Sequence, residues 1–173
     1  MAPSRRRLLD VGLALGAAGL IGLLFARNGL DADSLVDAFT ISVLVVISRE
    51  DLDRRIIPNR IVLPAWAIVL VANIALHPGQ WWHWLVASFG CGYLFYVLAR
   101  FSNGGLGMGD VKLVAFLGAA LGSDVVPALV IGTALGALVS IAIIVRHGTE
   151  GRKRTIPYGP FLAAGAIAVL IFL

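Results

Sequence analysis

Four of the ten carboxylates in the chain fall in two short stretches where their spacing could do chemistry. "REDLDRR" (Arg49–Arg55) holds Glu50, Asp51 and Asp53, and "GGLGMGDVK" (Gly104–Lys112) ends a glycine run on Asp110 and Lys112. Two carboxyls brought within a few ångströms cannot both ionise readily, so one keeps a proton while the other is charged. Such a pair offers a base and an acid together, the equipment of general acid–base hydrolysis. Beside Arg54 and Arg55, Asp51 and Asp53 would serve equally well as ion-paired loop charges. Spacing alone leaves both readings open.

The elements that must position these acids are set by the solvent around them. Hydrophobic residues make up 59% of the 173 and charged ones 14%, with a mean hydropathy of +0.91. Soluble domains carry about 25% charged and 45–50% apolar residues. A chain this apolar cannot cover its surface with polar groups and is expected in a membrane. A spanning helix needs roughly 20 apolar residues. Leu8–Ala26, Ser34–Ser48, Ile61–Leu76, Trp82–Ala99, Val125–Val145 and Pro160–Leu173 are the candidates. A shorter run, Val111–Leu121, either continues through a kink at Gly122-Ser123 or is re-entrant. The expected fold is therefore an all-α polytopic bundle of about seven spans, with six as the alternative.

Basic residues give the orientation. With seven spans and Arg5–Arg7 in the cytoplasm, thirteen of the fourteen Lys and Arg residues fall on that side, leaving Arg27 outside. The C-terminal Leu173 is then expected outside. The net charge of +4 reads as membrane topology, so nucleic acid is not an expected partner and the lipid bilayer is. Leu8–Ala26 is longer than a usual leader core of about 7–15 residues, with no small-residue cleavage site near Arg27, and reads as a retained span.

Other candidates carry less. Cys91 is alone in an apolar span, and His77, His83 and His147 lack metal-ligand spacing, so no metal and no disulfide is expected. Trp81, Trp82 and Trp84 read as an interfacial belt. Gly12/Gly16, Gly118/Gly122 and Gly132/Gly136 have a spacing that permits close helix packing. Asp10, Asp31, Asp33, Asp37, Asp124 and Glu150 read as solvated end charges. Glu50, Asp51, Asp53 and Asp110 remain, all expected on one membrane face. Gly107 and Gly109 are expected to form an access loop, taking positive φ so that an extended substrate can lie beside Asp110. On that reading a Cβ at Gly109 harms the site more than one at Gly118.

Three stretches, in order, resemble a known family. "DLDRRIIPN" (Asp51–Asn59), "GMGDVKL" (Gly107–Leu113) and "IPYGPFLA" (Ile156–Ala163) are similar to the signatures of type IV prepilin peptidases, membrane aspartic proteases of the GxGD class. The resemblance implies Asp51, seven places before Pro58, and Asp110 as the catalytic pair, with Asp53 not catalytic. Asn59, Lys112 and Tyr158 fall where they could line a groove. It further implies 34–173 as the catalytic membrane domain behind an N-terminal span, 1–33, and no cofactor. The implied substrate is a prepilin or pseudopilin, cut after a glycine that ends a basic leader, at the cytoplasmic face of the bacterial inner membrane. Longer members with two CxxC pairs also N-methylate the product; a chain with one cysteine resembles the short, peptidase-only form, and methyl transfer is not expected. Rival readings are a transporter or proton pathway, whose polar mid-span residues would be Asn73 and Thr133, and a non-catalytic pilus or secretion assembly factor.

Overall fold

The computed structural model of the chain describes residues 3–102, 106–151 and 157–173. Gly104 and Gly105 of the glycine run, and Arg152–Ile156 of the last polar loop, lie outside the described residues. Seven α-helices follow one another: α1 (Pro3–Asn28), α2 (Ala32–Arg54), α3 (Asn59–Leu76), α4 (Trp81–Phe101), α5 (Met108–Leu121), α6 (Val125–Gly151) and α7 (Gly159–Phe172). Two 3-10 turns, Pro78–Gln80 and Gly122–Asp124, join α3 to α4 and α5 to α6. No strand occurs among the described residues. Asp10–Asn28, Asn59–Leu76, Pro78–Phe101 and Met108–Arg146 are each long and apolar enough to cross a membrane. The chain is thus a multi-pass, all-α membrane bundle, as its composition implies.

Local chemistry sets the helix ends. Asp31 caps α2, its carboxylate accepting the Ser34 N–H at 2.8 Å. α2 stops at Arg55, which turns left-handed, and Pro58 holds the connection extended before α3 begins. Ile41, Leu44 and Ile47 are fully buried at helical spacing and turn one face of α2 into the bundle.

The helices alternate in direction. Arg49 near the end of α2 pairs with Asp10 near the start of α1. At the other end of the bundle one cavity gathers Asn28, Asp33, His77, His83, Ser123 and Leu173. α6 returns alongside α7, with Gly136 facing Tyr158, Gly132 facing Leu162 and Ala128 facing Gly165. An odd number of alternating helices leaves the start of α1 and Leu173 at opposite ends.

The short run Val111–Leu121 is neither kinked onwards nor left at the rim. As part of α5 it is the central helix, packed against α3 and α4 most closely and touching α2, α6 and α7 as well. Nine of its fourteen residues are buried. At about 1.5 Å per residue it is only about 21 Å long. A helix covered by other helices need not match the bilayer thickness, which is why its length misleads.

Close backbone approach holds α5 in place. A Cβ on Gly118 would overlap the Ala87 carbonyl and lie 2.7 Å from Ser88 Cα. Ser88, fully buried, accepts the Trp66 Nε1–H at 2.8 Å and donates to the Ala115 carbonyl at 2.9 Å, tying α3, α4 and α5 together. Asn73 donates to the Ala119 carbonyl at 2.8 Å. Such bonds between helices hold a bundle together where lipid supplies no hydrophobic drive. Of the three glycine pairs, Gly118/Gly122 and Gly132/Gly136 make close contacts, whereas a Cβ at Gly12 or Gly16 would meet nothing within 4 Å.

For stability, as distinct from harm to the site, Gly118 is the more sensitive of the two. Gly118→Ala forces two backbones apart, and overpacking of this kind costs about 1–3 kcal/mol. Gly109→Ala meets only the Ile57 side chain, at 3.1 Å. Thermal unfolding in detergent should show the larger drop for Gly118→Ala; equal stability of Gly118→Ala and wild type would contradict the packing described.

Candidate active site

The last two turns of α2 sort its acids by helical geometry. Asp51 follows Ile47 by four residues and Leu44 by seven, so it continues the buried stripe. It is 6% exposed. Its neighbours face the other way: Glu50 pairs with Arg54 at 3.4 Å, and Asp53 with Arg49, which also binds Asp10 at 2.7 Å. Of the two acids expected as ion-paired charges, Asp53 is paired, though with Arg49 and not Arg54 or Arg55, while among the described residues no ion pair forms at Asp51. Asp10 is paired rather than merely solvated.

What meets Asp51 instead is backbone. Gly159, first residue of α7, donates its N–H to Asp51 Oδ2 at 2.9 Å. That N–H is one of the unpaired donors at a helix start, where the helix dipole also favours negative charge. The approach requires glycine, because a Cβ here would stand 2.8 Å from Oδ2.

Asp110 sits at the start of α5 in a similar way. Its Oδ2 accepts the Gly107 N–H at 3.2 Å, and its own N–H donates to the Gly107 carbonyl at 3.1 Å. The carboxyl is half-buried, and the charge of Asp51 acts on it. The charge of Asp110 in turn reaches Tyr158, whose hydroxyl is pushed above its ordinary pKa by burial first and by that charge second. Each candidate acid therefore rests on a helix N-terminus, and Ile57, six residues after Asp51, packs on Gly109 beside Asp110.

The remaining candidates gather around this pair. Lys112 Nζ donates to Asn59 Oδ1 at 2.8 Å, tying the start of α5 to the start of α3. Tyr158 stands beside Gly159 with its ring against Gly136. Gly107 and Gly109 require a correction. Gly107 has φ −76° and ψ 146°, and neither residue has positive φ, so the access-loop reading fails on backbone grounds. Gly109 lies within the first turn of α5, where its missing Cβ lets Ile57 of the first motif pack closely. Its role here is to join the two motifs.

Gly159 is the residue that sequence reasoning missed. A glycine before Pro160 at a helix start is a visible signal, but its partner 108 positions away is not. The other polar features lie elsewhere. The cavity at the far end, about 310 Å³, is lined in part by Asp33, Asp37, His77, His83 and Trp84, and touches neither Asp51 nor Asp110. Trp84 is turned into that cavity, whereas Trp81 and Trp82 are exposed as a belt requires. No cluster of three metal-ligating side chains occurs among the described residues.

Residues 38–145 match the model of the type IV leader peptidase family. The chain belongs to the type IV leader peptidase family. A prepilin leader peptidase/N-methyltransferase of Pseudomonas putida is 37% identical over 96% of this chain and 58% of its own length. One from Bacillus subtilis is 30% identical over 84% of this chain and 59% of its own. One from Pseudomonas aeruginosa is 35% identical over 73% and 46%. The chain spans about half the length of these curated relatives. No solved structure matches it.

In this leader peptidase family member, Gly159→Ala should displace the Asp51 carboxyl while leaving the bundle folded. Misplacement by about 1 Å can cost on the order of 10²-fold in rate. Any activity that depends on the Asp51 carboxyl should fall by that order at an unchanged unfolding temperature. Wild-type activity in Gly159→Ala would show that the N–H contact does not position Asp51.

Proposed function

We propose that the chain is an aspartic endopeptidase that removes the basic leader of a prepilin or pseudopilin after a glycine. What supports this reading is that Asp51 and Asp110, from motifs 59 positions apart, each accept a backbone N–H at the start of a helix, with Ile57 of the first motif packed on Gly109 of the second. Water attacks the scissile carbonyl as one carboxylate takes its proton, and the other carboxyl gives a proton to the carbonyl oxygen. Asn59, Lys112 and Tyr158 border the place where the leader lies. The chemistry needs no cofactor.

The relatives' printed names and the family match support the substrate class. The membrane orientation follows from the distribution of basic residues: cytoplasmic N-terminus, dyad at the cytoplasmic face of the inner membrane, Leu173 outside. Residues 34–173 form the catalytic unit and 1–33 supply one further span. Methyl transfer is not part of the proposal, because the one cysteine, Cys91, cannot make two CxxC pairs. A transporter reading finds little to use, since Asn73 is spent on the Ala119 carbonyl and Thr133 on the Leu129 carbonyl of its own helix.

Co-expression with a candidate prepilin, read as a gel shift, tests the activity. Asp51→Asn and Asp110→Asn should each reduce processing by on the order of 10²–10⁴-fold at normal membrane levels, while Asp53→Asn keeps substantial activity. Full processing by Asp110→Asn would sink the mechanism. The orientation has its own check. A reporter fused after Leu173 and active only outside the cytoplasm should give signal, and silence from it, with signal from a cytoplasmic reporter, would reverse the assignment.

A further inference from the structure

At the end of the bundle opposite Asp51 and Asp110, the cavity of about 310 Å³ carries an unbalanced charge. Asp33, Asp37 and Asp124 line it, and among the described residues no Lys or Arg does. His77 alone offers a counter-charge, its Nε2 3.7 Å from Asp33 Oδ1. Asp37 lies one turn beyond Asp33 on α2, where like charges repel. Its half-buried carboxyl accepts no hydrogen bond and joins no ion pair among the described residues. An unpaired carboxylate drawn away from water at a membrane boundary is costly, and a cation beside it relieves that cost.

The lining describes that cation. Among the described residues no three carboxylates and imidazoles are placed to share one metal ion. Aromatic rings stand among the acids instead: the centroids of His77 and Trp84 are 5.6 Å apart, and those of His83 and Trp84 5.8 Å. Carboxylates among aromatic rings suit an organic ammonium, held by hydrogen bonds to the oxygens and by cation–π attraction to the rings. The cavity also lies at headgroup depth. Asn28 ends the membrane-length run Asp10–Asn28, His77 follows Asn59–Leu76, and Gln80 lies in the first turn of Pro78–Phe101. Next to Gln80, exposed Trp81 and Trp82 form the interfacial belt. Arg27 completes the match. Its guanidinium lies over the Phe172 ring, 5.6 Å from the centroid, and both residues adjoin lining residues, Asn28 and Leu173. It is exposed and pairs with no carboxylate among the described residues. A zwitterion with its ammonium inside and its phosphate at Arg27 satisfies both charges.

We propose that this cavity binds the primary ammonium of a phospholipid headgroup, with Asp37 and Asp124 accepting its hydrogen bonds and Arg27 taking the phosphate. A primary ammonium gives three N–H donors to carboxylates, whereas a trimethylated one gives none. Phosphatidylethanolamine therefore fits, and phosphatidylcholine loses the hydrogen bonds. A headgroup with a phosphate and no amine is repelled by the three carboxylates. The site stands apart from the peptidase reading, since the cavity touches neither Asp51 nor Asp110. Bound there, the lipid links α1 through Arg27, α2 through Asp37 and the turn before α6 through Asp124. A ligand held by three elements of the folded chain stabilises the bundle.

The test is thermal unfolding of the purified full chain in detergent. It is titrated with short-chain phosphatidylethanolamine, phosphatidylcholine or phosphatidylglycerol, and separately with ethanolamine. A ligand of the folded chain raises the unfolding temperature saturably, and the titration gives its Kd. Phosphatidylethanolamine should do so, phosphatidylcholine should bind about ten-fold more weakly, and phosphatidylglycerol should give no saturable shift. Asp37→Asn should weaken phosphatidylethanolamine by about ten-fold, as loss of one partly buried charge partner does. Asp124→Asn should do the same from outside α2, and it serves alone if Asp37→Asn fails to fold. Arg27→Gln should weaken the lipid and leave ethanolamine unchanged. No saturable shift with phosphatidylethanolamine, equal affinity for phosphatidylcholine, or unchanged affinity in either folded Asp variant overturns the proposal. Ethanolamine binding as tightly as the lipid, with lipid binding unmoved by Arg27→Gln, assigns the cavity to a free amine and overturns the headgroup.

Discussion

One hydrogen bond, from the Gly159 N–H to Asp51 Oδ2, organises this structure. A carboxylate removed from water needs partners for its oxygens, and the cost of leaving it bare is several kcal/mol. α2 carries Asp51 into the bundle on the same stripe as Leu44 and Ile47, away from the arginines that satisfy Glu50 and Asp53. The partner must then come from another helix. Only the start of α7, with glycine at its first position, can come that close. The bond therefore ties the end of α2 to the start of α7.

The rest of the bundle serves that placement through small residues. Gly118 seats α5 against the backbone of α4, and Gly132 and Gly165 seat α6 against α7. In a bilayer, where lipid tails are as apolar as leucine, such close contacts replace the hydrophobic drive that water supplies. Their effect reaches the chemistry: α5 carries Asp110 at its start, and α7 carries the Gly159 N–H that Asp51 accepts. Gly109 completes the join by letting Ile57, from the first motif, pack on the first turn of the helix that carries Asp110.

Much of this was legible in the sequence, for stated reasons. Apolar length marked six helices within about six residues of their observed ends, because in lipid only a helix satisfies its own backbone. Basic residues at alternate loops gave an odd number of crossings. The resemblance pointed to Asp51 and Asp110, and helical periodicity explains why Asp53, two residues on, turns outward. Less visible was anything that depends on which helices touch. Val111–Leu121 looked too short because length measures bilayer thickness only for a helix that lipid surrounds. The glycines of "GMGD" suggested positive φ, yet Gly107 is extended and Gly109 helical. Gly159 gave a turn signal but no sign of its carboxylate.

The central claim is that Asp51 and Asp110 share one site in the folded chain. Paired cysteines measure it directly: Asp51→Cys with Asp110→Cys, in a Cys91→Ser background, treated in native membranes with a short thiol cross-linker. Cross-linking should be rapid for the pair and absent for Asp53→Cys with Asp110→Cys, because Asp53 faces Arg49 on the outer side of α2. A 51–110 pair that stays open under conditions where both thiols react singly would contradict the shared site.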